Sequence, residues 1–261
     1  HKLKSPINPI LSETFSCHYD NIKFHSELLS TNPTVSGIYI SNEDHSVNFQ
    51  HINDSKFGLG KGGFNFIIKD YGLCKMTVLG DVFRIELPSI SVQPTSSFIF
   101  NSTTELYPVG EMVIKCEEVE ASIKFQPKSF MKSYSTKISG EIKSKGEVKY
   151  IIEGDWKNEM YIENYHTKKK NLVALGNICP ISNPDYPLRT IIDESTGSDK
   201  VWEKVISLMQ IKNYKEAQKL KSRLEHWQKC YVEDLKKQGQ EHEAKYFEKI
   251  NGNWEFKNNE I

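Results

Sequence analysis

Lys221, Glu225 and Lys229 recur at four-residue steps, a spacing that on an α-helix places all three on one face with the carboxylate between two ammonium groups. Such a set can hold a phosphate by charge-assisted hydrogen bonds while Glu225 orients the bases. The same spacing also describes a solvated helix face braced by i,i+4 pairs, so the trio by itself leaves both readings open. Other chemistry-bearing residues form weaker patterns. Gly58-Leu59-Gly60-Lys61-Gly62-Gly63 lacks the G-x-x-x-x-G-K-[ST] of a nucleotide phosphate loop and falls between strand-like segments instead of opening a helix. Cys17, His18, His25 and His51 are scattered without the close ligand pairs of a zinc site, so no metal site is expected. No nucleophile elbow and no Ser-His-Asp or Cys-His set is recognisable. Glu117-Glu118 falls at a hairpin tip, and Lys168-Lys169-Lys170 reads as a solvated turn that an anionic lipid surface could also attract.

These groups have to be positioned by a chain of 261 residues, long enough for one large domain with an appendage. Its 34 basic and 34 acidic side chains cancel, which removes any global field for nucleic acid and makes an anion site a local matter. No apolar run approaches the roughly 20 residues of a membrane span. Five cysteines, far apart and odd in number, read as free thiols in a reducing compartment. With no charged-then-apolar leader the chain reads as cytoplasmic, and the sequons at Asn53 and Asn101 as chance.

From about residue 10 to 176 short segments alternate apolar and polar residues, as in Val35–Ile40, Cys74–Leu79, Met112–Cys116, Ile138–Ile142 and Val148–Glu153. Short connections such as Leu79-Gly80-Asp81 and Ser144-Lys145-Gly146 suit antiparallel hairpins. So many consecutive strands leave sticky edges unless the sheet closes, and a wide barrel encloses a cavity for an apolar ligand. A two-layer sandwich with a dry core fits the composition as well. Beyond residue 198 the pattern becomes helical: Ser198 or Asp199 is placed to cap one helix, and a second runs from about Tyr214 to Lys237 and stops near Gly239. Trp254-Glu255-Phe256 adds a final extended segment.

Two segments near the start resemble a known family. Asn8-Pro9-Ile10-Leu11-Ser12-Glu13-Thr14-Phe15 resembles the N-P-x-L-G-E-T/F-F element that opens the barrel of the oxysterol-binding-protein-related lipid carriers. Glu27, Ser30, Pro33, Val35 and Ser36 match their hallmark E-Q-V-S-H-H-P-P-V-S, but the paired histidines are Thr31 and Asn32 here. Lys56-Phe57 with Gly58, Gly154-Asp155-Trp156, Tyr246-Phe247 and Trp254 resemble further family segments in the same order. The resemblance implies a mainly β fold with C-terminal helices, a large antiparallel barrel enclosing an apolar lipid cavity. It also implies a single lipid-binding domain, strands over about 10–176 and a helical subdomain over about 198–261. A lipid carrier without enzymatic activity or cofactor is then expected, taking a sterol, phosphatidylserine or a phosphoinositide and touching anionic membranes peripherally. A non-transferring sensor or scaffold of the same fold is the alternative.

In relatives a phosphoinositide head group is gripped by a lysine ahead of the N-P element, the histidine pair and a Lys, Glu, Arg trio on a late helix. The resemblance therefore assigns the head-group site to Lys4, Leu11, Thr31, Asn32, Lys221, Glu225 and Lys229. Ser5 occupies the upstream lysine position itself, and Lys229 replaces an arginine, without its bidentate fork. Thr31 and Asn32 donate hydrogen bonds but carry no charge. Each hydrogen bond to a charged group is worth roughly 1.5–3 kcal/mol, so binding of phosphatidylinositol 4-phosphate is expected to be weakened. Family members carry a lid ahead of the N-P element, whereas this sequence opens almost at it. A fragment or a lidless protein is implied, and in either case an apolar barrel wall left exposed, prone to self-association or to a membrane surface.

Overall fold

A computed structural model describes residues 7–60, 66–94, 104–126, 135–175 and 196–257. Lys4, Ser5, the Lys61-Gly62-Gly63 end of the glycine loop, the Asn101 sequon and Cys179 lie outside them. The fold is mainly β with C-terminal helices, and its contacts divide it into two compact units, residues 1–54 with 187–261 and residues 55–186.

The first unit opens with an antiparallel meander of β1 (Thr14–Tyr19), β2 (Ile22–Thr31), β3 (Thr34–Asn42) and β4 (Val47–Asn53). In β3 the expected alternation is complete: Val35, Gly37, Tyr39 and Ser41 are buried and the residues between them are not. In β2 the register shifts between Leu28 and Ser30, so that Glu27, Leu28 and Leu29 are all buried in succession. The C-terminal helices belong to this same unit. α1 (Ser198–Gln210) and α2 (Tyr214–Lys237) pack Trp202, Val205 and Ala217 on Ile10 of the N-P element, with Val201, Leu220 and Leu224 around them. α2 has the boundaries read from the sequence, with Asn213 as its N-cap and Gly239 at φ +65° just beyond its end. α1 starts differently: its N-cap is Gly197, which has no side chain to offer, while Ser198 is already helical and donates its Oγ to Glu13 Oε1 at 2.6 Å.

A hairpin of β16 (Phe247–Ile250) and β17 (Asn253–Phe256) completes the unit. The Phe256 ring stacks on Tyr39 at 3.7 Å between centroids. Gly37 admits the Phe247 ring so closely that a Cβ there would lie 2.5 Å from it. Gln50 is fully buried between the two sheets, accepting from Phe256 N and donating to Trp254 O.

The second unit holds β5 (Ser55–Leu59), β6 (Phe66–Asp70), β7 (Cys74–Val78), β8 (Asp81–Glu86), β9 (Ser89–Pro94), β10 (Thr104–Cys116), β11 (Val119–Phe125), β12 (Lys137–Ser144), β13 (Glu147–Asp155), β14 (Glu159–Asn164) and β15 (Lys170–Leu175). They pair antiparallel in the order β7-β8-β10-β11-β12-β13-β14-β15. The sheet branches at β10, whose first half pairs with β9 and second half with β8 and β11. Gly110, at φ +92°, sits where the pairing changes. From β9 the branch continues to β6 and β5. Among the described residues β15 pairs with β14 alone, so no backbone ladder closes this unit. The expected hairpin tips stand at Leu79-Gly80, Glu117-Glu118 and Lys145-Gly146.

Candidate functional site

Glu13 organises the N-P element. Its buried side chain accepts from Ile10 N and Trp202 Nε1, each at 2.9 Å, and from Ser198 Oγ. The matching glutamate of the hallmark, Glu27, is buried too, and its two oxygens accept from the backbone N–H of Lys245 at 2.7 Å and Tyr246 at 2.8 Å. Next to it Ser16 Oγ donates to the Tyr246 hydroxyl and lies 3.0 Å from His25 Nδ1. His25, considered above as a metal ligand, is therefore a core residue bonded to its neighbours.

Burial pushes the Glu27 carboxyl above the usual carboxylate range, although the two N–H donors and the charges of Lys257 and Lys245 oppose it. A raised folded-state pKa stabilises the fold below the ordinary carboxylate range, and this contribution is lost as pH rises through the raised value. Glu27→Gln should remove that fall. It should also cost about 1–3 kcal/mol, because an amide offers one oxygen to two backbone donors. Urea denaturation followed across that pH range checks both, and an unchanged slope with pH would refute the assignment.

The turn between β2 and β3 carries Thr31 and Asn32, and both line a cavity of about 410 Å³. Its lining also takes Leu11 and Leu29, Val232, Leu235 and Lys236 of α2, and Gln240, Glu241, His242, Lys249 and Trp254 from the chain beyond α2. Leu11, itself buried, also lines a second, apolar groove of about 390 Å³ with Val201, Leu224 and Trp227. The structure thus brings Leu11, Thr31 and Asn32 to one cavity.

The helix trio lines neither space. Lys221 is 1% exposed, buried on the same face of α2 as Ala217, with Nζ donating to Glu225 Oε1 at 2.7 Å. Lys229 is exposed. The cation that α2 gives to the cavity is Lys236, nearly two turns beyond Lys229. Helical periodicity defines a common face without saying which part of it the core covers. His242, Gln240 and Lys249 were not found from the sequence, because nothing in their spacing reveals that the chain folds back after Gly239.

A different feature occupies the second unit. Cross-strand register puts Phe57 opposite Ile68, Leu59 opposite Phe66, Phe66 opposite Val92, Ile68 opposite Ile90, and Val92 and Ile90 opposite Leu106 and Pro108. Directly paired residues share a face, so β5, β6, β9 and β10 present one continuous apolar surface. Phe57 is 76% exposed, Leu59 72%, Leu106 60% and Phe66 55%, while Ser91 and Tyr107 on the opposite face are buried. Scattered apolar exposure is ordinary, whereas a contiguous patch of this kind is a candidate binding surface.

The Lys168-Lys169-Lys170 run is partly neutralised. Lys168 lies 3.6 Å from Glu163 and Lys170 3.7 Å from Glu153, and each ammonium also covers a tyrosine ring. Cys17, Cys74, Cys116 and Cys230 are free thiols, and burial beside Asp70 pushes Cys74 up to about 11, which leaves it unreactive. Among the described residues no helix is long and apolar enough to cross a membrane.

With this geometry in place, comparison with known proteins identifies the class. The family profile described as oxysterol-binding protein matches residues 1–206, and the chain belongs to that family. It is 28% identical over 98% of its length to mouse oxysterol-binding protein-related protein 8, of which it spans 30%. It is 29% identical over 96% to the oxysterol-binding protein-like protein OBPalpha of Candida albicans, of which it spans 60%. Its fold is similar to that of the Osh1 ORD domain crystallised with ergosterol, at a TM-score of 0.74 and 17% identity, covering 97% of this chain and 68% of that one. The Osh3 ORD of Saccharomyces cerevisiae in complex with PI(4)P is similar at a TM-score of 0.69 and 19% identity, with 97% and 70% covered.

Proposed function

We propose that this chain is a lipid-binding domain that takes one sterol or phospholipid against its exposed apolar wall and carries it between membranes, without covalent chemistry. The observation that carries the reading is the continuous face of Phe57, Leu59, Phe66 and Leu106, whose area is too apolar to be left to water without a function. A ligand tail laid along it gains roughly 25 cal/mol per Å² removed from water. The relatives named for ergosterol and PI(4)P support a lipid as occupant. Action at cytoplasmic membrane surfaces by peripheral contact follows from the same reading.

Phosphatidylinositol 4-phosphate is a weak ligand in this proposal. Thr31 and Asn32 bring no charge to the head-group turn, and the described trio is withdrawn from the cavity, with Lys221 buried against Glu225 and Lys229 outside it. The test is extraction from liposomes containing labelled sterol, phosphatidylserine or phosphatidylinositol 4-phosphate, by the wild type and by Thr31→His/Asn32→His. Uptake of sterol or phosphatidylserine by both proteins is expected. The phosphoinositide should be taken up at least about tenfold better by the double variant, in proportion to one or two restored charge-assisted bonds. Strong phosphoinositide uptake by the wild type would refute the weakened grip. Absence of all uptake would refute carriage and leave a scaffold of the same fold.

A further inference from the structure

The β5–β6 hairpin sets two ammonium groups against each other. Lys56 and Lys69 stand directly opposite in the antiparallel register, and both are exposed. Each Nζ lies 4.8 Å from the centre of the same ring, that of Tyr71 just beyond β6. The face of the ring offsets part of their repulsion, but like charges directly opposite on a sheet still destabilise it. Among the described residues no carboxylate is paired with either lysine. Asp70, next to Lys69 in sequence, belongs to the other face and accepts from Gly72 N.

An edge strand carries lysine to deter pairing with another sheet, and Lys56 fits that use, since among the described residues β5 pairs with β6 alone. Lys69 does not fit it, because β6 has β5 on one side and β9 on the other. Two unneutralised cations across one ladder point to an anion from outside the chain. The opposite face of the hairpin says which kind. There Phe57, Leu59 and Phe66 head the apolar wall, which ends at the Ser55-Asp70 pair, one position past the lysines. A free phosphate or a soluble inositol phosphate would have no use for such a face. An element with one apolar face, and with cations and a half-exposed tyrosine on the other, is built to lie in a membrane interface. The long lysine stems then keep their ammonium groups among the lipid head groups.

We propose that the β5–β6 hairpin docks this domain on a leaflet bearing anionic phospholipid, with Lys56, Lys69 and Tyr71 contacting lipid phosphates while the wall headed by Phe57 and Leu59 lies on the acyl chains. The inference rests on the lipid-binding reading above for the use of the wall, and adds to it the charge of the membrane and the element that meets it. It also assigns contact with anionic lipid to this hairpin instead of the Lys168-Lys169-Lys170 turn, where Glu163 and Glu153 already face two of the three ammonium groups.

The experiment is flotation of the whole chain with vesicles of phosphatidylcholine, with and without phosphatidylserine, beside uptake of soluble dihexanoyl phosphatidylserine. A lysine near an anionic surface is worth about fivefold in binding, so Lys56→Gln/Lys69→Gln should bind the phosphatidylserine vesicles about 25-fold more weakly than wild type. It should bind plain phosphatidylcholine vesicles and take up the soluble lipid as wild type does. Lys56→Arg/Lys69→Arg should keep wild-type binding, and high salt should bring wild type down to the level of the glutamine variant. Lys168→Gln/Lys169→Gln/Lys170→Gln should lose less than about threefold. Thermal melts should show the Lys56→Gln/Lys69→Gln variant at least as stable as wild type, because a repulsion has been removed. Undiminished vesicle binding by that variant, or a loss confined to the triple variant, overturns the docking surface. So does an equal loss of dihexanoyl phosphatidylserine uptake, which would place the lysines in the carried lipid's own site. Lysine-dependent vesicle binding without uptake of any lipid would sustain the docking surface and refute carriage, and normal uptake with lysine-independent vesicle binding would do the reverse.

Discussion

Glu13→Ala should lower the free energy of unfolding by about 3–5 kcal/mol, the largest loss expected from a single side chain in the described polar clusters. The carboxylate receives three donors from two distant parts of the chain, and hydrogen bonds to a charged acceptor are worth about 1.5–3 kcal/mol each. Alanine leaves the Ile10 N–H and the Trp202 indole N–H without their acceptor inside the core that α1 and α2 build on Ile10. Water can replace part of the loss at Ser198, whose hydroxyl also reaches Thr14 O. Chemical denaturation measures the effect. A loss below about 1 kcal/mol would mean that the cluster is held by apolar packing alone.

The second large effect is functional. Phe57→Ser/Leu59→Ser should leave stability within about 0.5 kcal/mol of wild type, because both side chains are largely exposed. The same change should reduce lipid uptake by about two to four orders of magnitude. Each of these side chains contributes roughly 1.5–3 kcal/mol when fully buried by a ligand, and about 3–6 kcal/mol together corresponds to that range of affinity. Extraction from sterol- or phosphatidylserine-bearing liposomes is the readout. Undiminished uptake by a folded double variant would remove the apolar wall from the binding site.

Local signals carried much of this architecture. The limits of α2, the final Trp254-to-Phe256 strand and the hairpin tips at Gly80 and Gly146 depend on residues within a few positions of each other, and the structure has them where periodicity and turn chemistry put them. The departures are all long-range. Ser198 is a good capping residue, but it stands inside the helix, where its hydroxyl donates to Glu13, 185 positions away. Lys221 has the spacing of a surface ion-pair ladder and is buried because the core-facing arc of α2 passes through it. The alternation in β5, β6, β9 and β10 was visible strand by strand, whereas only the register shows that Phe57, Ile68, Ile90 and Pro108 share one face. At the site, the uncharged Thr31-Asn32 turn was legible by resemblance. His242 was not, since its setting depends on a segment closing onto β2, more than 200 positions earlier.

That closure has a consequence for how the protein is made. Glu27 waits for the amides of Lys245 and Tyr246, Gln50 for Phe256, and Gly37 for the Phe247 ring. Translation proceeds at about 5–20 residues per second, so β1 to β4 leave the ribosome roughly 10–40 s before the residues that complete their unit. Throughout that interval Tyr39 lacks its stacking ring and Glu27 its two backbone donors. The meander therefore spends that interval without the groups that fill its buried polar and aromatic positions, and the segment from Lys245 to Phe256 supplies them all at once.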